Sequence, residues 1–146
     1  MVDSASESSR VRGREFMPTS EALTQGIRVE VRSEYVAERS DPSERRWFFA
    51  YHIRVTNEGT ESTQLVSRHW TITDSDGRTE EVRGPGVVGQ QPVLGAGESF
   101  SYSSACPLRT SFGTMHGTYQ MLRVDSGDSF DADIAPFALG EPYSIN

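Results

Sequence analysis

The chain has 146 residues and a formal net charge of -7, from 21 Asp plus Glu against 14 basic residues, all of them Arg because Lys does not occur. That length suits one domain able to bury a core without metal or disulfide staples, and the acidic balance repels phosphate backbones, which excludes nucleic acid as an expected partner. Cys106 is the single cysteine, so no disulfide framework and no Cys-based zinc cluster is expected, and no apolar run approaches a membrane span or the core of a signal peptide. The expected location is a reducing cytoplasm.

Residues 1–20 are rich in Ser, Arg and Glu and poor in apolar anchors, a composition that reads as a disordered tail. Residues 21–146 form the expected domain, with ordered structure starting near Thr24-Gln25-Gly26. Ile27, Val29 and Val31 alternate with Arg28, Glu30 and Arg32 in the two-residue period of a half-buried strand. After the polar turn Ser40-Asp41-Pro42-Ser43, alternation resumes with Phe49, Tyr51, Ile53 and Val55 on one face and His52, Arg54 and Thr56 on the other. A third strand runs from Leu65 to Asp74, with Trp70 and Ile72 opposite His69, Thr71 and Thr73. Asp76-Gly77 marks a hairpin that returns as Arg78 to Arg83. Val87 and Val88 open a short segment ending at Pro92, Phe100, Tyr102 and Ser104 follow Gly97-Glu98-Ser99, and the last runs are Thr114–Val124 and Ser129–Phe137. Seven or eight short strands at this spacing predict an all-β, two-sheet antiparallel β-sandwich.

Gly84-Pro85-Gly86-Val87-Val88-Gly89 matches G-x-G-x-x-G, the fingerprint of dinucleotide-binding loops. The fingerprint works by delivering a pyrophosphate to a helix N-terminus, and no helix starts through Gln90-Gln91-Pro92-Val93-Leu94-Gly95. A glycine-rich turn in a β-protein is the reading that follows. Such a turn either serves the backbone alone, through positive φ or a sharp crossing, or presents outward N–H groups as an anion-binding concavity to which Arg68 or Arg83 adds a bidentate contact.

Phe49-Ala50-Tyr51-His52-Ile53-Arg54-Val55-Thr56-Asn57-Glu58-Gly59, Ser67-Arg68-His69-Trp70-Thr71-Ile72-Thr73-Asp74 and Glu81-Val82-Arg83 running into the glycine motif closely resemble the bacterial ApaG family. Gly97 to Tyr102, Gly113 to Met121 and Phe130-Asp131 continue the resemblance, which spans Thr24 to Leu139. The N-terminal extension departs from it, and Met17 stands near where many members start, which leaves Met1 and Met17 as alternative native starts. The resemblance implies an immunoglobulin or fibronectin type III-like sandwich. It also implies a family encoded beside a diadenosine tetraphosphatase and an rRNA methyltransferase, linked to cobalt and magnesium tolerance, and present in a eukaryotic F-box protein as an interaction module.

The residues offer little chemistry of their own. His52, His69 and His116 are the only histidines, and a three-His metal site needs all three to converge from different strands. They read as sheet histidines, with the metal site as the alternative. Asp74-Ser75-Asp76-Gly77 lacks the spacing of a calcium loop, Cys106 has no adjacent base, and no G-x-S-x-G, H-E-x-x-H or P-loop occurs. Trp47, Trp70, Phe100, Tyr102 and Tyr119 read as core. The expectation is a non-enzymatic, cofactor-free module that binds another protein, or a second copy of itself, through Arg68, His69, Arg83, Gly84, Gly86 and Gly89. A receptor for a phosphate-rich small molecule at the same turn, or a protein of divalent-metal tolerance, stand as alternatives.

Overall fold

The computed structural model describes residues 17–142, and the tail expected over residues 1–20 lies outside these up to residue 16. Nine strands follow in order: β1 Thr19–Thr24, β2 Ile27–Tyr35, β3 Trp47–Asn57, β4 Thr63–Asp74, β5 Thr79–Pro85, β6 Val93–Leu94, β7 Ser99–Leu108, β8 Phe112–Arg123 and β9 Ser129–Gly140. Two 3-10 turns, Ala37–Arg39 and Pro42–Glu44, join β2 to β3. One sheet has the order β1-β2-β3-β7 and the other β5-β4-β8-β9, with β6 added beside β4. All pairings are antiparallel. The architecture is the expected antiparallel sandwich, with one strand more than the upper expectation.

The extra strand is β1, so the fold begins before the expected start at Thr24. Its sequence TSEALT carries no strong apolar face, and Leu23 is exposed. Backbone and side-chain hydrogen bonds hold β1 in place instead. It pairs with β2 from Thr19↔Arg32 to Thr24↔Ile27, while the Met17 carbonyl accepts from the Ala138 amide at 2.7 Å and the Ser20 hydroxyl donates to the Ala135 carbonyl at 2.8 Å. The first strand thus bridges the two sheets along one side. Ser33 adds a second tie, donating through Oγ to the Ala138 carbonyl.

The core follows the alternation of the strands. Ile27, Val29, Val31, Phe49, Tyr51, Ile53 and Val55 point inward from the first sheet, and Leu65, Trp70, Met115, Tyr119, Met121, Ile134 and Phe137 from the second. Tyr51, Trp70 and Phe137 meet across the interior, with Tyr51–Trp70 centroids 5.4 Å and Trp70–Phe137 centroids 6.0 Å apart in edge-on geometry. Such contacts add about 0.5–1.5 kcal/mol each beyond area burial and fix how the sheets face one another.

Two irregularities shape the second sheet. The register of β4 against β8 shifts between Leu65 and Ser67, so Val66 is a bulge and the inward parity moves from Thr63 and Leu65 to Arg68, Trp70 and Ile72. In β8, where the register against β9 shifts between Met115 and Gly117, a Cβ on Gly117 would stand 2.1 Å from the His69 carbonyl oxygen. Only glycine fits that close approach of two strands.

Candidate functional site

The bulge at Val66 decides where Arg68 points. Arg68 and His69 are neighbours in sequence and lie on opposite faces of β4. Arg68 faces inward beside Trp70, Tyr51 and Ser104, whereas His69 faces outward beside Thr71, His116 and Thr118. The single recognition surface expected from Arg68, His69, Arg83 and the glycine turn is therefore divided between two faces.

The glycine turn is a hairpin. Val87 and Gln90 exchange both backbone hydrogen bonds at 2.8 Å, and the central residues Val88 and Gly89 have φ of +41° and +80°, the mirror-image turn that suits two-residue hairpins. The expected strand opening at Val87 is thus a turn, and the following strand is the two-residue β6 at Val93–Leu94. Gly86 also has positive φ, +58°, and a Cβ there would meet the Gln90 carbonyl oxygen at 2.2 Å. Its own amide donates to the Val66 carbonyl at 2.8 Å. The glycines serve the tight fold of this hairpin, with the Gly86, Val87 and Gln90 amides already committed. Val88 stands out because a β-branched residue rarely adopts positive φ, and its side chain is 54% exposed at the tip.

Arg68 locks the hairpin from below. Its Nη1 donates to the Pro85 carbonyl at 3.0 Å and to the Gly86 carbonyl at 2.9 Å. The guanidinium lies over Gly84, where a Cβ would come within 3.0 Å of both terminal nitrogens. A larger residue at 84 would displace it.

Around Arg68 opens a cleft. Tyr51, Arg68, Trp70, Pro85, Val87, Val88, Gly89, Tyr102 and Ser104 line a cavity of about 390 Å³ at the hairpin end. It continues between β5 and β7 past Glu80, Val82, Cys106 and Pro107 to Arg78 and Arg109. These strands pair with β4 and β3 respectively and not with each other, so this side of the sandwich is open where β1 closes the other. Tyr51, Trp70 and Tyr102, expected as core, are at once core and cleft wall. What makes room is the small or polar residue at inward positions: Arg68 in β4, Gly84 and Glu80 in β5, Ser104 in β7.

The electrostatics of the cleft come from burial. Desolvation raises the phenols of Tyr51, Tyr102 and Tyr119 above their ordinary range, and the Tyr102 and Tyr119 hydroxyls hydrogen-bond each other. Burial likewise pushes the Cys106 thiol up to about 12. At neutral pH the thiol and phenols stay protonated, as donors and apolar walls rather than nucleophiles. The indole Nε1 of Trp70 is buried with no hydrogen-bond partner among the described residues, a rare deficit.

The histidines do not converge. His52 lies on the outer face of the other sheet, and His69 and His116 share a shallow depression on the outer face of their own. His69 bonds Glu81 at 2.7 Å, and Arg83 lies 3.6 Å from the same carboxylate oxygen. The three-histidine metal site does not form, and among the described residues no group of three His, Cys, Asp or Glu is placed to hold a metal ion. His52 instead sits between the Ser103 hydroxyl and the Glu34 carboxylate, 2.6 Å from each, and its hydrogen bond holds Glu34 below the usual carboxylate range. This order of acid, imidazole and hydroxyl resembles a hydrolase triad. On a sheet face, however, backbone N–H groups lie in the sheet plane and do not converge over Ser103 as an oxyanion hole.

Fold and cleft together define a class: a β-sandwich closed on one side by its first strand and open on the other beneath an arginine-locked hairpin. The model of the ApaG domain matches residues 37–123. The chain is 53% identical over 121 residues to Protein ApaG of Rhodospirillum centenum, covering 83% of this chain and 92% of that protein. It is 55% identical over 127 residues to Protein ApaG of Anaeromyxobacter dehalogenans, covering 87% and 99%. The crystal structure of an ApaA protein from Bordetella pertussis is similar with a TM-score of 0.77 and 47% identity, over 88% of this chain and 98% of that one. The chain belongs to the ApaG family.

Proposed function

We propose that the protein is a non-catalytic binding module that holds another protein at the rim formed by the Gly86–Gln90 hairpin. The observation that carries this reading is Val88, an exposed apolar side chain kept at strained positive φ on a tip that Arg68 and Gly86 hold rigid. Strain of this kind costs about 1–3 kcal/mol and persists where the surroundings enforce it, as they do at ligand clamps. A rigid apolar tip loses little entropy on docking. We place the module in a reducing cytoplasm, on the strength of its lone, protonated Cys106.

The rival, a receptor for phosphate-rich ligands at the same turn, has less support. The Gly86, Val87 and Gln90 amides are spent internally, which takes away the cluster of outward N–H groups that a phosphate site at this turn would use. Capture from native lysate with the wild type and with Val88→Asp tests the proposal. Loss of a reproducibly captured protein in the variant is the expected result. Unchanged capture by a folded Val88→Asp protein sinks it.

A further inference from the structure

The two long sides of this sandwich are unequal. On one, β1 fills the gap between β2 and β9 and satisfies polar groups of both. On the other, the edges of β5 and β7 flank a groove running from the Val88 tip to Arg109, and among the described residues no strand fills it. The groove follows the seven residues of β5, a length of about 23 Å at the rise of an extended chain. Trp70 lines its floor, and the indole Nε1 is buried there with no acceptor among the described residues.

Charge points to the occupant. Although the chain is acidic, Arg68 and Arg109, near opposite ends of the groove, have no carboxylate within 4.0 Å among the described residues. Of the residues lining the hairpin end, Arg68 alone is charged, and the Ser104 and Tyr51 hydroxyls beside it can donate, whereas the groove's carboxylates, Glu80 and Asp74, lie toward its other end with Arg78 and Arg109. Free strand edges supply unpaired backbone groups, and strand addition is a common mode of peptide capture.

We propose that the β5–β7 groove receives an extended, acidic segment of the partner protein, which lies between the two edges as β1 does on the opposite side and seats a carboxylate side chain on Arg68 above Trp70. This rests on the binding-module reading and gives it a partner chemistry. Pro107 removes one donor from the β7 edge, which keeps the edge from pairing freely along its whole length.

The probe is a soluble heptapeptide, acetylated and amidated, of alternating Val and Thr with Asp at the third position and Glu at the seventh, set against the same peptide with Asn and Gln. Trp47→Phe leaves Trp70 as the only indole, so its fluorescence reports on the groove floor. The expected result is a saturable change with the acidic peptide, at least tenfold weaker with the neutral one, and abolished by Ser104→Leu, which fills the groove while leaving the Arg68 charge in place. Arg68→Met should abolish it too, with circular dichroism checking that the hairpin variant still folds. No saturable response to the acidic peptide up to millimolar concentration, or equal binding of the neutral peptide, or full binding by Ser104→Leu, overturns the proposal. If lysate capture depends on Val88 but survives Ser104→Leu, the module stands and the groove is not its peptide site.

Discussion

Replacing Arg68 and Arg83 one at a time separates a half-buried lock from a surface charge. The Arg68 guanidinium donates to two hairpin carbonyls at 3.0 and 2.9 Å and packs flat on Gly84, whereas Arg83 is 71% exposed with its carboxylate neighbour Glu81 at 3.6 Å. Hydrogen bonds from a charged group contribute about 1.5–3 kcal/mol each when shielded, and one of this pair is open to solvent. Discounting for that exposure and including the lost packing of the arginine stem, Arg68→Ala should cost about 2 kcal/mol. Arg83→Ala should cost less than about 0.5 kcal/mol. For a domain of this size that places the Arg68→Ala melting temperature about 6 °C below that of Arg83→Ala, with Arg68→Lys between them because an ammonium cannot reproduce the planar fork. Thermal melts followed by circular dichroism, with urea titration for the free energy, make the comparison. Indistinguishable melts for the two alanine variants would refute the assignment of Arg68 as the hairpin lock.

Gly86→Ala should be far more damaging than Gly89→Ala, although both sit at positive φ, because the first Cβ meets the Gln90 carbonyl at 2.2 Å and the second meets nothing within 4 Å; a urea-denaturation difference of at least about 1 kcal/mol is expected. Removing residues 1–16 should leave the melting temperature unchanged, whereas removing residues 1–24 deletes β1 and its ties to Ser33, Ala135 and Ala138 and should lower it by ten degrees or more, as about 3 kcal/mol would do. Cys106 should resist Ellman's reagent at pH 8 until the protein unfolds, so labelling faster than global unfolding would contradict its burial. Because its folded value is raised from 9.0 to about 12, that contribution to stability is complete below pH 9 and drains as pH climbs toward 12. In alkaline melts Cys106→Val should delay the onset of destabilisation to the higher pH at which the tyrosines ionise, and an unchanged onset would count against this linkage.

The sandwich is legible in the sequence wherever a strand has one buried face. Ile27, Val29 and Val31 in β2 and Phe49, Tyr51, Ile53 and Val55 in β3 announce both the strand and its inward side, and burial follows them residue by residue. Strand β1 is not legible, since its alternation runs between exposed and half-buried positions and its place depends on backbone groups of β2 and β9. Arg68 misleads for a related reason. The bulge at Val66 puts Arg68 on the inward parity of Trp70 and Ile72 rather than that of Leu65, and an arginine in that series reads by residue type as a surface position. The cleft is harder still. Tyr51, Trp70 and Tyr102 carry the apolar signature of core, and whether a core residue also lines a groove depends on which strand edges are left without a neighbour. The one hint available was negative: Ser104 and Gly84 are too small, and Arg68 and Glu80 too polar, for the inward positions they occupy.

The most direct test of a module that works through its hairpin rim and open side is hydrogen exchange of the protein alone and in complex with its captured partner. The account predicts new protection confined to amides of residues 79–90 and 102–108, with β1 and the outer sheet faces unchanged. Protection centred instead on the outer faces around His52 or His116, with β5 and β7 exchanging as in the free protein, would contradict it.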